Sequence, residues 1–319
     1  MSFWSWLDAT EPEERTAPQA ELGAAVRRVR ILTAKLVDSA LSGGFKSAFR
    51  GSGLEFREVR AYEHGDDVRR IDWNVTARTG SAYVKTYAEE RELEIHIVLD
   101  RSRSLGFGTR EGTKADAAAR LVALVAFAAA RSQDKVGLTV FDGRGRARTP
   151  CKKGMRQALQ IVRAAMLGGS GEPGGLVDAL ETEERLLRRR SVLFLVSDFC
   201  ALDAHNERLE RLLTRLNRRH DVIAVRVQDP FERELPAVGP VLVRDLSTGL
   251  RAEVDGRDAG VRRAWSQAAD ERRTLQDALF ARCRIEVLDI TTDGAVDVPL
   301  IGLFRRRATG RAASNGGRA

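Results

Sequence analysis

The chain has 319 residues, 43% hydrophobic and 31% charged, the balance of a soluble globular protein rather than of a disordered one. That length suits one large α/β domain with an appended part, or two ordinary domains. Lys and Arg outnumber Asp and Glu by 53 to 45, a formal net charge of +8, but the basic residues are scattered and lie in no aromatic-rich stretch suited to stacking bases, so nucleic acid is not the expected partner.

In chain order, residues 1–18 are acidic and Pro-containing and read as a flexible N-terminus. Residues 19–91 read as an N-terminal helix over Ala20 to Leu41, ended by Ser42, Gly43 and Gly44, and then a small irregular β segment containing the run SAYVKTY. From residue 92 the character changes. EIHIVLD, ending in Asp100, predicts a strand and Lys114 to Arg131 a helix; KVGLTVF (135–141) predicts a second strand, followed by helices over Met155 to Leu167 and Leu176 to Leu187. SVLFLVSD (191–198) is nearly all apolar, as a strand covered on both faces should be. A helix over 203–219, the strand DVIAVRV (221–227), a hairpin across 239–254, a helix over 258–281 and the strand RIEVLDI (284–290) complete a domain over 92–307. The tail, 308–319, has the composition of a disordered segment. Strands alternating with helices imply a mostly parallel sheet.

Three cysteines, Cys151, Cys200 and Cys283, lie far apart with no C-x-x-C spacing. This fits neither a disulfide framework nor a zinc ribbon and suits a reducing compartment, so a cytoplasmic location is expected. The start MSFWSWLDATEPEERT lacks the pattern of a secretion signal. The longest apolar run, Leu121 to Ala130, is about half the roughly 20 residues that span a bilayer and reads as a buried helix.

In open parallel sheets, ligands bind outside the carboxyl ends of the strands, and two central strands end there in acids, Asp100 and Asp198. After Asp100 comes D-R-S-R-S, which turns the oxygens of Asp100, Ser102 and Ser104 toward one point. Hard oxygen ligands completed by water suit Mg2+, while the same residues serve equally to cap the following turn and helix. A second dense region, 51–78, interleaves acids and bases around aromatic residues. Glu55, Phe56, Arg57, Arg60, Tyr62, Asp66, Asp67, Arg69, Asp72, Trp73 and Arg78 form either a charge-paired platform or a docking surface with Arg and aromatic anchors.

The run G-x-G-x-E-F-x-x-x-R-x-Y-x-x-G-D-D-x-R-x-I-D-W-x-x-x-A-R, from Gly51 to Arg78, resembles the signature of the domain of unknown function 58 (DUF58) family. The order that follows is also similar: an Asp-Ser loop with a trailing Phe107-Gly108, Lys114 opening a helix, Asp134 to Leu138, Ser197 to Phe199, and a close from Leu300 to Arg307. The resemblance implies a von Willebrand factor A-like α/β domain and a non-catalytic adaptor working with a MoxR-type AAA+ ATPase in assembly or maturation of other proteins. Its metal-ion-dependent adhesion site (MIDAS) would use Asp100, Ser102, Ser104 and Asp198 to hold a Mg2+ that attracts an acidic residue of a partner. The threonine usual in such sites is missing from 166–180, where Ser170 is the only hydroxyl.

Two alternatives are a metal-dependent hydrolase using Asp100 and a basic nucleic-acid-binding protein. The haloacid dehalogenase pattern needs a second Asp where Ser102 stands, and a hydroxyl is a poor general acid at neutral pH. No phosphate-binding G-x-x-x-x-G-K-[ST] and no G-x-S-x-G is present.

Overall fold

The computed structural model describes residues 54–64, 66–68, 71–89, 92–109, 112–167, 174–202, 206–244 and 250–315. The helix expected over 20–41 lies outside them.

The first described unit is an antiparallel pair, β1 (Leu54–Ala61) and β2 (Tyr83–Glu89), with the short helix α1 (Trp73–Thr79) between them. β2 takes up the SAYVKTY run, whereas α1 was not anticipated. Asp72 starts it by accepting the backbone N–H groups of Asn74 and Val75, and Gly80, at φ 71°, ends it in the left-handed conformation that glycine adopts without steric cost.

The main sheet uses β3 (Glu94–Asp100), β4 (Lys135–Asp142), β5 (Gly145–Lys152), β6 (Val192–Ser197), β7 (Asp221–Gln228) and β10 (Glu286–Thr291). Their order is β10-β7-β6-β3-β4-β5, parallel throughout except for the antiparallel edge strand β5. Helices cover both faces, so the mostly parallel α/β sheet expected from the sequence is the one observed. Alternation along the strands sorts the side chains. Ile95, Ile97 and Leu99 of β3 and Phe194 and Val196 of β6 pack on α2 (Lys114–Arg131), α3 (Met155–Met166) and α8 (Asp297–Asn315). Val98, Leu193 and Leu195 face the other way, against α4 (Leu176–Leu186), α5 (Glu207–Arg219) and the C-terminal turns of α7 (Ala259–Arg282). Between β7 and α7 come the one-turn helix α6 (Pro230–Arg233) and the expected hairpin, β8 (Pro240–Arg244) with β9 (Arg251–Asp255).

Two differences from expectation have physical causes. β5, sequence GRARTPCK, is polar and exposed because it is an edge strand with one neighbour, so it lacks the apolar signal of its sheet. α8 runs to Asn315, past the expected domain end at 307 and into the stretch read as a disordered tail. Its Leu300, Leu303 and Phe304 are buried at helical spacing and anchor the helix on the first core.

Candidate functional site at the strand tips

β3 is the first strand of the main sheet, β4 lies on one side of it and β6 on the other, so the chain's direction of winding reverses between β3 and β6. Loops diverge there, at the carboxyl ends of the two strands, the place where open parallel sheets bind ligands. Asp100 is the last residue of β3, and Asp198 directly follows β6.

The two acids are close enough for the charge of Asp198 to act on Asp100. Asp100 Oδ1 accepts the backbone N–H of Ser102 at 2.8 Å, and Oδ2 accepts the Ser197 hydroxyl at 2.6 Å. The hydroxyls of Ser102 and Ser104 lie 3.1 Å apart, and that of Ser104 hydrogen-bonds Asp198. The structure thus brings Asp100, Ser102, Ser104 and Asp198 together. Ser170 lies outside the described residues.

Sequence reasoning noted Lys114 only as part of a motif, yet it is central. It is the first residue of α2, fully buried, with its backbone N–H donating to Phe107 O at 2.8 Å. Its ammonium donates to Asp198 Oδ2 at 2.7 Å and to Glu232 Oε1 on α6, and stands 5.9 Å from the centre of the Phe107 ring. The other oxygen of Asp198 accepts the Cys200 N–H at 3.0 Å. Glu232 Oε2 accepts the backbone N–H of Asp229, closing a capping box. Asp229 in turn accepts the N–H and hydroxyl of Thr109, the hydroxyl of Thr292 and the N–H of Phe231. The signal available in the sequence was Asp-Pro-Phe-Glu at 229–232, which has the helix-start pattern of an acid three residues after an N-cap.

These surroundings set different charges on the two acids. Burial raises the Asp100 carboxyl above its ordinary value; the Ser197 hydrogen bond opposes the rise and the negative Asp198 adds to it. Burial works the same way on Asp198, but the Lys114 ammonium outweighs it and holds that carboxyl below the usual range. Burial alone would lower Lys114; Asp198 and Glu232 overcome it and keep the ammonium protonated well above the usual lysine range.

A hard divalent cation can therefore be tested against the donors. The first-loop half suits one, since Asp100, Ser102 and Ser104 supply oxygens only, and among the described residues no cationic side chain is in ion-pair contact with Asp100. The other half does not fit. Asp198 is already neutralised by a buried ammonium at hydrogen-bond distance, and an ion placed beside it would meet that charge.

In the charged region, Arg60 clamps Asp66 with two parallel hydrogen bonds of 2.9 and 2.7 Å, and the carboxylate also accepts the Glu63 N–H. Asp72 is spent on capping α1. Tyr62 is half-buried, Asp67 and Arg78 are exposed, and Trp73 stands 70% exposed. The backbones of Glu55, Phe56 and Arg57 lie in β1; their side chains, and all of Arg69, fall outside the described residues. Among the described residues of the region, Arg60 and Asp66 are paired and the Trp73 side chain stands open to solvent.

The model of the family described as "Protein of unknown function DUF58" matches residues 58–275. An uncharacterized protein of Mycobacterium tuberculosis is 34% identical over 280 residues, 86% of each chain. One from Mycobacterium avium is 30% identical over 173 residues, 51% of this chain and 95% of that protein. Among solved structures, the conserved hypothetical protein BatB from Bacteroides thetaiotaomicron is 15% identical, covering 68% of this chain and 99% of that one at a TM-score of 0.45. A von Willebrand factor type A protein from Catenulispora acidiphila is 12% identical, covering 69% and 43%, at a TM-score of 0.38. At those scores the fold assignment rests on the strand order of the sheet itself.

Proposed function

The chain belongs to the DUF58 family of proteins of unknown function, and from that premise we propose that it is a non-catalytic adaptor docking through the strand-tip face of a von Willebrand factor A-like domain. The carrying observation is the convergence of Asp100, Ser102, Ser104 and Asp198 at the switch point between β3 and β6. The proposed partner is a MoxR-type AAA+ ATPase in the cytoplasm, acting with the adaptor in assembly or maturation of other proteins. No helix among the described residues is long and apolar enough to cross a membrane, which is compatible with that setting. The exposed Trp73 is a second anchor, since aromatic side chains concentrate binding energy at interfaces.

A Mg2+ held by Asp100, Ser102 and Ser104 would supply a Lewis-acidic point for a partner carboxylate; the pairing of Asp198 with Lys114 speaks against it, and no step of the docking relies on it. The hydrolase alternative fares less well. The residue two positions after Asp100 is a serine whose hydroxyl lies against Ser104, leaving the reaction without a carboxylic acid at that place.

The test is binding of purified chain to a purified MoxR-type ATPase of the same organism, with and without ATP. Asp100→Ala is expected to weaken capture at least about tenfold, the effect of losing roughly 1.4 kcal/mol. Capture unchanged by Asp100→Ala and Trp73→Ala together would remove both docking surfaces, and phosphatase or esterase turnover abolished by Asp100→Asn would restore the enzyme reading.

A further inference from the structure

We propose that the ammonium of Lys114 is the resident cation of the strand-tip site, standing in for a divalent ion between Asp198 and Glu232. This rests on the site described above and not on the identity of the partner.

Three observations carry it. Lys114 is placed by the fold: it opens α2, is fully buried, and reaches Asp198 on one side and Glu232 on the other. Both carboxylates also have a partner besides the lysine. Asp198 is held by the Cys200 N–H, and Glu232 by the Asp229 N–H, with Asp229 itself satisfied by Thr109, Thr292 and Phe231. Finally, Asp198, Cys200 and Glu232 bring ligand atoms within 4.8 Å of one another, close enough to share one metal ion, and the lysine ammonium is bonded to two of the three.

A covalently tethered ammonium offsets one of the two carboxylate charges at every metal concentration, and it repels a divalent ion brought close to it. The strand-tip surface is thereby set in its docking form without metal. Remove the ammonium, and two carboxylates lose their shared counter-charge beside the Cys200 thiol, a donor set that suits Zn2+ better than Mg2+ because of the sulfur.

The experiment is a thermal-shift titration of the full chain with Mg2+, Mn2+ and Zn2+. Wild type is expected to show no Mg2+ or Mn2+ dependence. Lys114→Met is expected to melt lower and then gain a Zn2+-dependent rise of about 3–8 °C beyond wild type, once the ion exceeds its dissociation constant about a hundredfold. Adding Asp198→Asn to that variant should abolish the gain. A Mg2+-dependent rise in wild type that Asp100→Ala removes overturns the proposal, as does a folded Lys114→Met that gains nothing. Should Lys114→Met fail to fold, Glu232→Gln keeps the Lys114–Asp198 pair and must stay blind to Mg2+; a shift there also overturns it. All arms use the chain alone, so failure to capture the ATPase counts against the adaptor reading only, and capture that persists in EDTA leaves that reading intact whatever the titration gives.

Discussion

At the scale of single residues, Asp100 and Asp198 are neighbours with opposite electrostatic histories, and pH separates them. The folded chain holds the Asp100 carboxyl above its ordinary value because burial penalises its charge. A group raised in this way binds its proton more tightly folded than unfolded. Its contribution is therefore present in acid, below the unfolded value, and is lost as pH rises through the folded value. Asp100→Asn removes the charge and keeps an oxygen for the Ser102 N–H. At pH 7 it is expected to melt above wild type, and the gain should shrink as pH falls through the raised folded value toward the ordinary carboxylate value. Melting curves between pH 4 and pH 8, in roughly half-unit steps, check this; a constant difference would mean that charge burial is not the cause. Asp198 runs the other way, since Lys114 depresses its carboxyl and its stabilisation is lost as pH falls from the ordinary carboxylate value through the lowered one. The sequence made the four oxygens legible because strand ends and alternate spacing are local. The Lys114 pairs were not legible, since Asp198 lies 84 residues away and Glu232 118, and only the fold closes those distances.

At the scale of elements, legibility followed burial. α5 was readable because Leu209, Leu212, Leu213 and Leu216 recur at helical spacing among arginines, and all four are buried against β6 and β7. Leu213→Ala is expected to cost about 2–5 kcal/mol by urea unfolding, the range for emptying a packed leucine site. Arg211→Ala on the opposite face should cost less than about 0.5 kcal/mol, because its pair with Glu207 is exposed on both sides. Equal losses at the two positions would contradict the assigned faces. α1 and β5 escaped notice for the converse reason: α1 has no buried residue, and β5 exposes most of its length. A buried polar cluster drawn from distant segments lies under the sheet edge and carries no local sequence pattern. His96 of β3 is fully buried, bonded to Thr139 and paired with Glu183 of α4, which Thr139 and Arg148 also hold. Gly137 makes room for it, because a Cβ there would stand 2.7 Å from both His96 Nδ1 and Cys151 Sγ.

At the scale of the whole molecule, alternation of strands and helices announced a parallel sheet, but strand order and the antiparallel edge depend on contacts between distant segments that periodicity does not encode. One consequence of that order concerns how stability is distributed. β3, β6 and β7 sit inside the sheet with helices on both faces, whereas α7 buries only Gln276, Leu279 and Phe280, all in its last three turns. Its earlier turns lean on α6 and are tied there by the Trp265 Nε1–H to Phe231 O hydrogen bond of 3.0 Å. Local opening follows buried apolar contact, so hydrogen exchange should divide this one helix. Amides over 262–272 are expected to exchange well before those over 277–282, and both before the central strands. Because α6 also carries Glu232, Trp265→Phe should speed exchange in the first part of α7 and around 229–234 together while leaving β3 and β6 unchanged. Acceleration confined to α7 would mean that the helix and the strand-tip site are not mechanically joined, and a partner gripping α7 would then have no route to Lys114.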